Sequence, residues 1–166
     1  RVKDVRCHVA PMAGSWLTES VIANPMSIYP EYWEKRSSWF QSMTAAVVEV
    51  ELEDGTRGFG FAGGGKGTAV AAILNEQLRA LVIGKDAFDP ERPQEQLYRA
   101  TICYGRGGLT QCAISAVDIA LWDLKGKHFG VPVHRLLGGP LRTSVRAYAT
   151  GTYRVEHGDP LEYVVD

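Results

Sequence analysis

Long apolar runs are missing from this chain. None of its 166 residues belongs to a stretch approaching the ~18–20 apolar residues that span a bilayer. Charge imbalance is missing too: 18 Lys and Arg face 19 Asp and Glu, a net charge of −1. Bulk attraction to nucleic acid or to an anionic membrane surface is therefore not expected. The opening Arg1-Val2-Lys3-Asp4 starts a strand-like pattern and has no signal-peptide apolar core. Cysteine is scarce, with Cys7, Cys103 and Cys112 forming an odd set without metal-ligand spacing. They read as small buried hydrophobes in a reducing, cytoplasmic compartment. The four histidines do not cluster either. His8 falls in a strand, His128 at a helix C-terminus, and His134 and His157 in loops, so structural or solvent roles are expected.

What is present is an ordinary globular composition, 45% apolar and 22% charged, long enough for one domain or one domain plus a fragment. Residues 2–10 read as a first strand. Val48, Val50 and Leu52 alternate with Glu49, Glu51 and Glu53, the period of a half-buried strand. Asp54-Gly55 then predicts a two-residue hairpin turn into a return strand from Thr56 to Ala62. That turn would place Val50 opposite Phe59 and Val48 opposite Phe61, with Glu49 and Glu51 opposite Gly60 and Gly58 on the other face.

The period then becomes helical. Val70, Ile73, Leu74, Leu78 and Leu81 form one stripe, ended by Gly84. Asp89-Pro90 starts a second helix, with Asp as cap, reaching about Thr101. In a third, Ile114, Val117, Leu121 and Leu124 line up beside Ala113, Ala116 and Ala120, and Gly130 and Pro132 end it. Strands first and helices after predict an α+β domain, a small antiparallel sheet with helices on one face. Ser144 to Ala149 reads as a further strand that begins a separate unit, so the chain is expected to stop before a catalytic site is complete.

Four features bear on chemistry. Gly60 to Thr68 is near a phosphate loop, but Gly67 stands where a Ser or Thr should hold magnesium. Its plainer reading is a Gly-rich strand-to-helix connection, and a nucleotide-binding module is the alternative function. Glu49, Glu51 and Glu53 place carboxylates ~6.8 Å apart on one strand face; acid/base work is one reading and a solvated face the plainer one. Asp123 precedes Lys127 by four residues, an i,i+4 pair. Asp118 sits beside the apolar stripe and, if buried, needs a partner such as an Arg. Finally, residues 11–43 are too long for an ordinary connection. They hold Trp16, Tyr29, Tyr32, Trp33, Trp39 and Phe40 with Lys35 and Arg36. Two readings stay open: a lid over a small acidic ligand, or aromatics packed on the core, on a subunit partner or on another protein.

The run Ala113-Ile114-Ser115-Ala116-Val117-Asp118-Ile119-Ala120-Leu121-Trp122-Asp123-Leu124-Lys125-Gly126-Lys127, then Gly130-Val131-Pro132-Val133 and Leu136-Leu137-Gly138-Gly139, closely resembles the last cap-domain helix and turn of the enolase superfamily, mandelate racemase branch. Residues 22–27, Tyr29, 31–39 and 148–151 resemble the acid-sugar dehydratases, the L-rhamnonate type in particular. The resemblance implies a cap domain over residues 1–138 with a lid at 11–43, and the start of a (β/α) barrel at 139–166. It implies a magnesium-dependent dehydration of a sugar acid by a homo-oligomer. Mg2+ and the catalytic His would be held by barrel strands beyond Asp166. Arg36 matches the family's substrate-binding lid Arg and is the only site residue carried over. The family's substrate-contacting His before the position of Trp16 has no counterpart in residues 10–15.

Overall fold

Alternating valine and glutamate make Thr44–Leu52 the central strand of a three-stranded sheet, because branched side chains pack well on a pleated surface. The computed structural model describes residues 1–11, 28–32, 44–62 and 66–147. The chain divides into two compact units, Arg1–Met12 with Met43–Leu141, and Ala13–Ser42 with Arg142–Asp166. In the first unit β1 (Val2–Pro11), β2 (Thr44–Leu52) and β3 (Arg57–Ala62) pair antiparallel in the order β1-β2-β3. One sheet face, with Val5, Val48 and Val50, is buried in a single core with Val70, Leu74, Ile114, Val117, Leu121 and Leu124 of the helices. This is the expected α+β class.

The hairpin register differs from the one Asp54-Gly55 predicts. Val48 lies opposite Gly60, Val50 opposite Gly58, Glu49 opposite Phe59 and Val47 opposite Phe61. The loop has three residues, 53–55, closed by Leu52 N–H to the Thr56 carbonyl at 2.9 Å. A two-residue type I′ turn needs positive φ at both central positions. Here only Gly55 has it, at 85°. Asp54 instead accepts the Thr56 N–H on its own carboxylate at 2.9 Å. A one-residue slip exchanges the two faces of a strand. The glycines therefore point into the core, and Phe59 and Phe61 point outward, about half exposed.

The first helical run is α1 (Gly67–Ile73), a π-helical turn (Leu74–Leu78) and α2 (Arg79–Val82). Its fully buried side chains are Val70, Leu74, Leu78 and Val82, a strict spacing of four. In a straight α-helix such a row drifts about 40° per step. The wide turn inserts a residue and returns the row to the sheet. Val82 is therefore buried where Leu81 was expected. α3 (Glu91–Thr101) ends where its pattern predicts, but Pro90, not Asp89, occupies its cap position, without a side-chain cap bond.

α4 (Gly108–Phe129) buries the whole expected stripe. Gly130, at φ 66°, caps it, with its N–H turned back to the carbonyls of Gly126 and Lys127. His134 lies in the short helix α5 (Val133–Leu136) rather than in a loop. Cys7 and Cys112 pack partly against the core, but Cys103 is exposed, on the turn that follows α3. In the second unit the described residues include a 3-10 turn at Pro30–Tyr32. Residues 144–147 belong to no strand, and Tyr148 and Ala149 lie outside the described residues.

α4 lies on β3 so closely that a Cβ at Gly60 would fall inside contact distance of the Ala116 carbonyl oxygen, and one at Gly58 would meet the Ala120 oxygen and Leu124. Gly60→Ala is expected to lower stability by about 3 kcal/mol, read as the urea midpoint. Gly55→Ala strains only the turn and should cost about 1–2 kcal/mol. Equal midpoints for Gly60→Ala and the unaltered chain would contradict this packing.

Candidate functional site

The long connection that carries Arg36 starts and ends at neighbouring points on one end of the sheet. Pro11 and Thr44 are the terminal pair of the β1–β2 ladder. Lys66, at the end of the Gly-rich turn, bridges to Thr44 from the other side. Thr68 N–H donates to Thr44 Oγ1 at 3.3 Å. Gly67 is pressed on β2, where an added Cβ would stand 2.5 Å from the Ala45 carbonyl oxygen. The bases of both segments thus meet around Thr44. Arg36 itself, with Trp16, Trp33, Lys35, Trp39, Phe40 and Gly63 to Gly65, lies outside the described residues. Tyr29 and Glu31, at the 3-10 turn, are exposed.

The Gly-rich turn follows an antiparallel edge strand, not a strand of a parallel sheet. A phosphate loop is built on the latter. The architecture does not favour the nucleotide alternative.

In the acid row Glu53 is exposed, as a solvated face requires, but Glu49 and Glu51 are not. Glu49 and Glu51 are only 7% and 5% exposed, because cations from both neighbouring strands fold over them. Lys3 Nζ donates to Glu51 Oε1 at 2.7 Å. Arg6 and Arg57 each reach both carboxylates at 3.5 Å. His8 Nε2 is 3.4 Å from Glu49 Oε2. The hydrogen bond from Lys3, helped by the charges of Arg57 and Arg6, holds the Glu51 carboxyl below its usual range. A carboxylate so engaged is a poor proton acceptor near neutrality. Asp4 is held low in the same way, chiefly by the Arg79 guanidinium, whose Nη2 is 2.7 Å away.

Asp123 forms the expected i,i+4 pair, Lys127 Nζ to Oδ2 at 2.6 Å, and also accepts the Phe59 N–H at 2.8 Å. Asp118 is partly buried, and burial pushes its carboxyl up. The Arg partner expected for it is absent among the described residues. No group of three metal-ligating side chains occurs among the described residues, and these carboxylates do not fit a magnesium site. A groove of about 450 Å³ lies between α3 and α4, lined by Glu91, Glu95, Tyr98 and Ile114, and includes none of the residues around Thr44. Among the described residues no helix is long and apolar enough to cross a membrane.

A three-stranded antiparallel sheet backed by an alanine-lined helix, with a long aromatic connection at one end, can be compared with known proteins. Residues 30–138 match the family model described as mandelate racemase / muconate lactonizing enzyme, N-terminal domain. The chain belongs to this family. It is similar to a Caldivirga maquilingensis protein provisionally named an L-rhamnonate dehydratase, 45% identical over 161 residues, covering 91% of this chain and 40% of that one. An L-rhamnonate dehydratase of Saccharopolyspora erythraea is 44% identical over 136 residues, 81% of this chain and 34% of that protein. The crystal structure of L-rhamnonate dehydratase from Gibberella zeae superposes with a TM-score of 0.74 at 36% identity, covering 86% of this chain and 35% of that one. The chain thus spans about two fifths or less of the length of these relatives. The family's cap domain is the part described above.

Two kinds of carboxylate give opposite pH dependences. Glu51, depressed in the fold, contributes stability above its ordinary 4.5 that is lost as pH falls through its folded value. Asp118, raised by burial, carries a penalty that appears as pH rises through 3.8. Lys3→Met should therefore lower the urea midpoint at pH 7, and Asp118→Asn should raise it. Both differences should fade well below pH 3.8, and a constant offset across the titration would refute the assignment.

Proposed function

We propose that this chain is the substrate-capping part of an acid-sugar dehydratase acting on an aldonate of the L-rhamnonate type. The observation that carries this is the 44% identity to an L-rhamnonate dehydratase over most of the chain. The reaction removes the proton α to the substrate carboxylate and expels the β-hydroxyl as water. A magnesium-bound crystal form of the Gibberella zeae enzyme, matched at a TM-score of 0.76, supports Mg2+ as the metal of the whole protein. The carboxylates described here do not fit that ion, so no step of the reaction is assigned to them. The reading leaves metal and catalytic base to a barrel domain that continues from this chain, and takes the whole protein to be a cytoplasmic homo-oligomer.

The role left for the cap is recognition. A guanidinium presents a planar fork of donors that fits a carboxylate bidentately. Arg36 is assigned to the substrate carboxylate on its match to the family's lid.

In the full-length protein, Arg36→Ala is expected to lower kcat/KM for the aldonate by at least about tenfold, since a charged contact is worth ~1.5–3 kcal/mol. Residues 1–166 alone should show no dehydration. An unchanged kcat/KM, or turnover by the isolated chain, would each defeat the part of the reading it tests.

A further inference from the structure

We infer that the outward face of α4 is an interdomain surface, covered in the full-length protein by the domain that follows residue 166, and that this cover is apolar with one basic side chain opposite Asp118. The inference rests on the reading that such a domain continues from this chain. On its inner side α4 seats Ala113, Val117, Ala120 and Leu124 in the core. A surface helix carries its charges on the opposite side. α3 does so: Glu91, Arg92, Glu95 and Arg99 are all exposed. At about 100° per residue, the opposite side of α4 carries Cys112, Ser115, Ile119, Trp122, Gly126 and Phe129, without one charge. Ser115 is exposed, Ile119 is 45% exposed and Phe129 55%. A helix that is uncharged on both sides belongs inside a larger protein.

The cover begins within the chain itself. A Cβ at Gly126 would stand 2.9 Å from the Val131 carbonyl oxygen and 3.5 Å from Val133 Cγ2. The segment that leaves α4 therefore folds back across this same face. Leu137 and Leu141, which follow it, are exposed, so the chain leaves with apolar side chains still open. The Caldivirga maquilingensis match covers only 40% of that protein, which leaves ample chain to complete the cover. Asp118 sets the polarity of what is added. It borders the uncharged face, is partly buried, and has no partner among the described residues. A carboxylate taken further out of water needs a cation. A second copy of this face supplies none that is free. Its Lys125 already donates to the Phe88 carbonyl at 3.2 Å and lies over the Trp122 ring.

The test uses the full-length protein with a photoreactive benzophenone side chain in place of Ile119. Irradiation is expected to join it to a peptide beyond residue 166 of the same chain, so that the denatured mass stays that of one subunit. A product of two-subunit mass assigns the face to a second copy, and a link to residues 1–166 assigns it to the cap's own connections. Either result overturns the inference, as does the absence of any link. Should the bulky group prevent folding, Ser115→Cys is a near-isosteric probe. Its alkylation should be at least about thirtyfold slower than that of Arg99→Cys on α3, and should stay slow at dilutions that separate subunits. Equal rates, or protection lost on dilution, overturn the inference. Asp118→Asn is expected to lower the Tm of the full-length protein by about 2–4 °C, the reverse of its effect on the chain without that cover. A raised Tm overturns the basic partner. Failure of the unsubstituted protein to dehydrate an aldonate would defeat the dehydratase reading and leave the cross-link standing.

Discussion

The contact on which the rest of this domain depends is the seating of α4 directly on β3. No side chain stands between helix and strand at Gly58 and Gly60, and the helix offers Ala116 and Ala120 to the same surface. Two backbones brought this close exclude water and remove any choice of register. If β3 slipped by one residue, Phe59 and Phe61 would have to occupy space that admits not even a Cβ. The helix also solves the edge problem of the sheet. The outward N–H of Phe59 is accepted by Asp123, whose second partner, Lys127, lies over the Phe59 ring and donates to the Arg57 carbonyl. One helix thus fixes register, faces and edge together.

This explains which parts of the fold were legible in the sequence. The stripe of α4, its end at Gly130 and the end of α3 near Thr101 are consequences of local periodicity and local caps, and they are where the pattern puts them. The hairpin register is not local. Asp54-Gly55 is compatible with a two- or a three-residue loop, and the helix some 60 residues later decides between them. A signal was present in Gly58-x-Gly60, since two glycines on one face of a strand announce close backbone approach. Burial of the acid row was hidden for a similar reason: Lys3, Arg6 and Arg57 reach Glu49 and Glu51 only after both neighbouring strands are in register. The family was legible because the α4 motif is contiguous. The surroundings of Thr44 were not, because its partner Thr68 is distant in sequence and carries no pattern of its own.

The charge network gives the cap a property suited to its proposed work. A sugar acid is an anion, and free carboxylates near its path would repel it over roughly a Debye length, about 8–10 Å in physiological salt. The central strand carries two carboxylates, yet each is covered by cations from its neighbours, Lys3, Arg6 and Arg57, with His8 beside Glu49. Glu49 and Glu51 thereby join the strands and add little negative field. The same arrangement makes Glu51 a poor base, because its carboxylate is held ionised by Lys3, Arg57 and Arg6. On the proposed reading, a cap built this way recognises an anion without competing for its α-proton. Recognition then rests, on that reading, on where the cap's cations and backbone stand rather than on any acid of the sheet.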